Sequence, residues 1–121
     1  MSYKSDVRIR LLKEDYAELE RQYLQKFANS KYDIEFWQDK DICKEEDTTI
    51  YFGWDSVKWY RNITDVEFEF EFVDFIMDYI LDLKNYSYAI IGEEMEDIDT
   101  DQNGIVEYIS IKREFEDDYI Q

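Results

Sequence analysis

The sequence predicts an α+β fold in which two helices pack on one face of a four- to five-stranded sheet. Apolar residues recur at helical spacing in two segments, 14–28 and 64–84, and they alternate with polar residues in several shorter segments. No glycine or proline interrupts the longer helical segment. With 121 residues, the chain is large enough to bury a core without disulfides or metals, so we expect a single domain over residues 1–121.

The longer helical segment, from Thr64 to Lys84, has one apolar face and one acidic face. Its first half alternates like a strand. The apolar spacing nevertheless continues for about five turns, and Thr64 with Glu67 forms a capping box, so we predict a helix. The acidic face would be a stripe about 22 Å long, with carboxylates about 4 to 5 Å apart along the axis. These carboxylates are Glu67, Glu71, Asp74, Asp78 and Asp82.

The remaining elements follow from shorter patterns. Residues 7–12 alternate apolar residues with arginines and predict the first strand, and residues 14–28 predict the first helix. The segments 33–38 and 48–54 alternate and predict a hairpin, in which Gly53 marks a bulge or the strand end.

The C-terminal third adds two strands to this plan. Residues 86–91 predict one strand and residues 105–115 predict the last one, with a turn at Asn103-Gly104 before it. The resulting order is strand, helix, strand, strand, helix, strand, strand. It predicts a ferredoxin-like split βαββαβ arrangement with an added strand.

Charge restricts the partners that the chain can attract. Lysine and arginine total 14 against 31 aspartate and glutamate residues, which gives a net charge of −17. Such a charge opposes direct binding to nucleic acid or to an anionic membrane, so we expect a basic partner. An alternative is a generic acidic structural module whose charge only keeps it in solution.

Compartment and membrane association are judged from cysteine and hydropathy. The single cysteine, Cys43, excludes an internal disulfide, and the first residues lack the apolar region of a signal peptide. No apolar run reaches the 18 residues needed to span a bilayer. We therefore expect a cytoplasmic protein without a membrane partner.

Residues suited to catalysis are scarce. The chain has no histidine, which removes the commonest general base and metal ligand, and one cysteine cannot build a zinc site or a Cys-His pair. The three glycines do not fall at phosphate-binding spacing. With 31 acidic residues, a pair of carboxylates is uninformative. We therefore expect no enzymatic activity.

One segment partly matches a calcium loop. Asp99, Asp101 and Asn103 occupy the first, third and fifth positions of an EF-hand pattern, and Gly104 occupies the sixth. The twelfth position, which should be a bidentate glutamate, is Ser110, and the flanking segments predict strands. A hairpin turn is the favoured interpretation and a Ca²⁺ site is the alternative; no other cofactor is predicted.

Aromatic residues near the predicted hairpin are candidates for partner contacts. Core packing is their usual role, but an alternating strand cannot bury all of its aromatics on one face. Trp54 and Trp59 are therefore candidate anchors at the surface, beside the acidic field.

A second group of carboxylates, Glu93, Glu94, Glu96 and Asp97, adds to the stripe at 67–82. In charge, size and lack of catalytic residues, the chain resembles the small acidic nucleic-acid mimics and nuclease inhibitors that phages and mobile elements encode, such as anti-restriction and anti-CRISPR proteins. The resemblance implies an inhibitor that binds the basic, nucleic-acid-binding surface of a partner protein as a DNA mimic. Immunity proteins against nuclease toxins are acidic for the same reason and remain an alternative.

Self-association is the last expectation. The aromatic strand 48–54 or the final strand 105–115 would lie at a sheet edge, and an apolar edge is covered most simply by a second copy. Repulsion between two chains of charge −17 opposes this pairing. We expect either a monomer or a salt-promoted homodimer, with the homodimer slightly favoured.

Overall fold

The computed structural model describes residues 4–59, 71–93 and 97–110. These residues form a five-stranded antiparallel sheet and three helices, which confirms the predicted α+β class. In chain order the elements are β1 (Ser5–Leu12), α1 (Lys13–Lys26), α2 (Lys31–Gln38), β2 (Ile42–Glu45), β3 (Thr49–Val57), α3 (Glu71–Leu81), β4 (Tyr86–Ile91) and β5 (Ile98–Asn103).

The sheet has the strand order β2-β3-β1-β4-β5, and all neighbours are antiparallel. β1 is the central strand. Helix α2 is an addition to the predicted two helices, and the predicted ferredoxin-like arrangement with an added strand is not confirmed. β3 lies inside the sheet, so the prediction that the 48–54 strand lies at an edge is wrong.

One face of the sheet carries the main core. Val7, Ile9 and Leu11 of β1 are fully buried on this face. Ile9 pairs with Phe52 of β3 and with Tyr88 of β4, and directly paired residues lie on the same face of an antiparallel sheet. Residues of all three helices belong to the same core cluster, so the helices cover this face. We call it the helix side.

The opposite face is covered by residues 104–110, which we call the C-terminal strap. Val106 and Ile109 of the strap are buried, and Ile109 packs with Tyr51 and Ala89. Arg10 of β1 fastens the strap, because its guanidinium donates to the backbone oxygens of Glu107 (3.1 Å) and Tyr108 (2.9 Å).

Arg10 also joins the strap to the β2–β3 turn. Its Nε and Nη2 atoms donate to the two carboxylate oxygens of Glu46 at 2.8 and 3.2 Å, and the guanidinium lies 5.0 Å from the centre of the Tyr51 ring. The Arg10 side chain is only 7% exposed. A guanidinium so far from water is stable only because carboxylate and carbonyl oxygens replace its hydration.

The predicted strand at 33–38 is wrong, because this segment is helix α2. Ser30 caps the helix by accepting a hydrogen bond from the backbone N–H of Asp33 at 3.3 Å. Trp37 is buried and donates its indole N–H to Glu20 of α1 at 2.8 Å. The partner of β3 in the hairpin is instead β2, which lies between the two segments predicted to pair.

The predicted last strand is also displaced. β5 lies before the predicted last strand and pairs with β4. Gly104, with a φ of 70°, turns the chain after β5. Residues 105–110 then cross the sheet face as the strap, while the remainder of the predicted strand lies outside the described residues. The predicted bulge is displaced too, since Gly53 pairs regularly and the β1–β3 register shifts just beyond it.

Four elements are confirmed close to their predicted bounds: β1, α1, β3 and β4. The longer predicted helix, 64–84, is described from Glu71, so the capping residues Thr64 and Glu67 lie outside the described residues. None of the described helices is long and apolar enough to cross a membrane.

Replacing Arg10 by methionine should destabilise the protein by about 3 kcal/mol, because the change leaves Glu46 and two backbone carbonyls without their buried donor. Urea denaturation of wild type and R10M measures this difference. R21M is the matched control, since Arg21 pairs with Glu18 at the exposed surface of α1 and should matter little. Equal effects of the two substitutions would contradict the role given to Arg10.

Replacing Gly53 by alanine should cost about 3 kcal/mol or more, the upper part of the range for overpacking. A Cβ atom at this position would lie 1.8 Å from the Val7 carbonyl oxygen and 3.0 Å from Cδ of Arg8. The first neighbour is backbone of the central strand, which cannot move aside. Thermal denaturation of G53A tests this close approach, and a wild-type midpoint would show that β1 and β3 do not need it.

Candidate interaction surface

The outer face of α3 and the turn after it carry the described part of the predicted acidic stripe. Glu71, Asp78 and Asp82 are exposed and Asp74 is half-buried, whereas the opposite face of the helix is buried. Glu71 and Asp74 are three residues apart on the helix and Asp74 and Asp78 are four apart, which corresponds to about 4.5 and 6 Å of rise. The second interval is wider than the 4 to 5 Å expected from the sequence.

Strand β5 adds carboxylates on the same side of the sheet. Asp101 pairs with Tyr88 and Asp99 pairs with Ile90, and both partners pack against the main core under the helices. Asp99 and Asp101 therefore lie on the helix side, and both are exposed. We call Glu71, Asp74, Asp78, Asp82, Asp99 and Asp101 together the acidic surface.

Other predicted acidic residues lie around the β4–β5 connection. Glu93 and Asp97 are exposed, and Glu93 accepts a hydrogen bond from the backbone N–H of Lys4 at 2.8 Å. Glu67, Glu94 and Glu96 lie outside the described residues.

Two arginine side chains are buried. Arg8 and Arg10 lie on the face opposite the helices, where their side chains are 3% and 7% exposed. Arg8 pairs with Asp55 at 2.8 Å and donates to the Trp54 backbone oxygen. Because these two cations are buried, they do little to offset the carboxylates that face solvent on the helix side.

Trp54 and Trp59, the predicted anchors, are buried at 2% and 8% exposure and cannot serve as surface contacts. The indole N–H of Trp54 donates to the Phe36 backbone oxygen at 2.9 Å, and the Trp54 ring stacks on the Phe36 ring. These contacts of Trp54 come from α2, which was predicted as a strand, whereas the Trp59 ring contacts Trp54 and Phe72 of α3.

Tyr32 is an exposed aromatic residue that the sequence reasoning missed. It is 67% exposed, and its ring meets the edge of the Phe72 ring near the start of α3. Tyr32 and Trp37 are five residues apart on α2 and point to different sides of a helix. A helical interpretation of residues 31–38 would have identified Tyr32 as a candidate surface residue.

The predicted metal ligands Asp99, Asp101 and Asn103 belong to an extended strand. Alternate residues of a strand are about 6.6 Å apart. The oxygens of a Ca²⁺ site converge to within 2.3–2.6 Å of the ion. The strand does not wrap these three side chains around a common point. Within the described part of the chain, no group of three or more His, Cys, Asp or Glu side chains is placed to hold a metal ion.

Comparisons with protein-family models, with curated proteins and with solved structures found no match for this chain. The surface must therefore be interpreted from its own geometry and charge.

Asp101 accepts a hydrogen bond from Tyr86, and the titration of this tyrosine can be followed. The Tyr86 hydroxyl donates to Asp101 at 2.6 Å, and this hydrogen bond, with burial and the charge of Asp101, raises the pKa of Tyr86 to about 12. Since the pKa is raised in the folded state, the contact stabilises the protein below about pH 10 and loses this effect as pH rises towards 12.

We expect the substitution Asp101→Asn to return the pKa of Tyr86 towards 10. Carbon NMR of the tyrosine ring across pH 8–13 measures the change. The control Asp99→Asn removes one charge from the same strand without touching the hydrogen bond, so the pKa of Tyr86 should move far less. A similar shift in both variants would mean that general charge, rather than the hydrogen bond, raises this pKa.

Proposed function

We propose that this protein is a non-enzymatic interaction protein whose acidic surface occupies a basic, nucleic-acid-binding surface of a partner protein, as a DNA mimic of the anti-defence inhibitor type. The observation that carries the proposal is the acidic surface itself. Exposed carboxylates on a helix and on a paired strand lie on one side of the sheet, while Arg8 and Arg10 are buried on the other. No direct contact with nucleic acid or membrane is part of the proposal, and a cytoplasmic location is assumed.

The backbone that carries these charges supports this proposal. Helix α3 and strand β5, which pairs with β4, hold their carboxylates at set separations. Little side-chain and backbone ordering is therefore needed when a partner binds. Phosphates on one strand of B-DNA follow each other at about 3.4 Å of rise, and the carboxylates of α3 follow at about 4.5 to 6 Å. Like a DNA strand, the helix therefore presents a row of negative charges, but with fewer charges per unit length.

Two alternatives have weaker support. An immunity protein against a nuclease toxin would use the same charge, and the identity of the partner separates it from a DNA mimic. A calcium-binding module or a generic acidic module rests on sequence spacing and composition alone, because the described strand β5 does not gather Asp99, Asp101 and Asn103 around one point.

Topology and assembly complete the proposal. We propose that β1 to β4 follow the split crossover plan of ferredoxin-like proteins, extended by α2 and β5. This topology is supported by the position of β1 between β3 and β4.

A homodimer also remains a proposal. Among the described strands the edges are β2 and β5, and two copies of β5 would bring Asp99 and Asp101 close to like charges.

The proposal is tested by capturing the partner at low salt on the immobilised protein and measuring its association rate. The rate should fall steeply with salt, since encounter is electrostatically steered, and duplex DNA should compete with the protein for the same partner. A ternary complex in which the partner holds DNA and this protein together would contradict the proposal.

The double variant Asp78→Asn/Asp82→Asn should lower the association rate about three- to tenfold at low salt. The matched control is Asp47→Asn/Glu107→Gln, which removes the same charge from two exposed residues, one in the β2–β3 turn and one in the strap. The control should change the rate less than half as much on a logarithmic scale. Equal effects would mean that total charge, rather than the acidic surface, drives association.

A further inference from the structure

A cavity of about 230 Å³ lies where the end of α1, the start of α2 and the start of α3 meet. Its lining includes Lys26, Phe27, Ser30, Asp33, Glu71 and Phe72. At about 30 Å³ for each water molecule, the volume equals about eight waters, which is enough for a planar side-chain head group and its adjoining methylenes. Glu71 belongs both to this cavity and to the acidic surface.

We propose that this cavity binds an arginine side chain of the partner protein. The proposal rests on the proposed function and deepens it, because it names one residue type that the partner must supply. Three observations support it: the charge of the cavity, the phenylalanine residues in its lining and the position of Lys26, a cation of the chain itself.

The internal cation is Lys26. Its Nζ lies 2.9 Å from Oε1 of Glu71, 5.6 Å from the centre of the Phe27 ring and 5.9 Å from that of the Phe75 ring. A positive charge at these distances is attracted by the carboxylate and by both ring faces. The ammonium group therefore shows the kind of ligand that this end of the cavity accepts.

The cavity has a second carboxylate, that of Asp33. The backbone N–H of Asp33 donates to Ser30, which holds this first turn of α2 in place, while no ion pair within the described part of the chain uses the Asp33 carboxylate. The lining thus has two carboxylates, Asp33 and Glu71, for one cation.

Arginine fits this arrangement better than lysine. A guanidinium carries five N–H donors in one plane, so it can donate to two carboxylates held by different helices, and its faces can stack on aromatic rings. An incoming arginine would replace Lys26 at Glu71 and donate to Asp33, and Lys26 would turn to solvent. Arginine is also a common contact residue of nucleic-acid-binding surfaces.

The test is a titration of the ¹⁵N-labelled full chain with the peptide acetyl-GRGRG-amide at low salt. Saturable shifts should appear at the amides of Phe27, Asn29, Ser30 and Glu71. The same peptide with citrulline in place of arginine keeps the shape and loses the charge, and it should bind at least tenfold more weakly. The variant Asp33→Asn/Glu71→Gln should weaken arginine-peptide binding at least tenfold, whereas the control Asp47→Asn should change it less than twofold.

Removing the internal cation gives an independent readout in the opposite direction. Lys26→Gln should strengthen binding of the arginine peptide at least threefold, because the competing ammonium is gone. The control Lys13→Gln makes the same change of charge at an ion pair with Glu45 outside the cavity, and it should change binding less than 1.5-fold. Melting temperatures close to wild type confirm that each variant is folded.

The outcomes separate this inference from the proposed function. Unsaturable shifts spread over the acidic surface, or equal effects of Lys26→Gln and Lys13→Gln, would overturn the arginine site. If Asp78→Asn/Asp82→Asn still slows association with a nucleic-acid-binding partner in that case, the proposed function stands without the site. Saturable binding at the cavity supports the site even if no such partner is captured.

Discussion

The alternation of apolar residues and arginines along β1 is the constraint on which the rest of the structure depends. Because β1 is the central strand, its two faces set the two faces of the sheet: Val7, Ile9 and Leu11 require the helices, and Arg8 and Arg10 require oxygen acceptors. A shift of one residue in its register would exchange the two faces. Arg10 then determines what covers the second face, since its donors are satisfied only with Glu46 and the strap in place.

Segregation of charge follows from this constraint. The buried cations of β1 are paired with Asp55, which is exposed, and with Glu46, on the face away from the helices. The carboxylates of α3 must face solvent because the other side of that helix supplies Phe72, Ile76 and Ile80 to the core. Burial of apolar surface therefore orients the acidic residues, and no further interaction is needed to align them on one side of the sheet.

Sequence periodicity predicted β1, α1, β3 and β4, in which apolar residues recur with a clear period, and it placed the carboxylates of α3 correctly on one helix face. It failed for α2, because aromatic and acidic residues alternate at 33–38 over too short a length to distinguish periods of 2 and 3.6. It failed for β5 because an exposed edge strand needs no apolar residues. The burial of Trp54 and Trp59 was not predictable from their own segment, since Phe36 of α2 and Phe72 of α3, both distant in sequence, pack against them.

The arrangement of the carboxylates bears on whether their charge is only solubilising. Solubility depends on net charge and is indifferent to position, and a small domain needs far less than −17 for it. Self-repulsion grows as like charges are gathered, so placing several of them along one helix and one paired strand costs stability that a scattered distribution would avoid. A basic surface that receives the carboxylates together offsets this repulsion, and the close contact of Glu71 with Lys26 reproduces that effect within the chain itself.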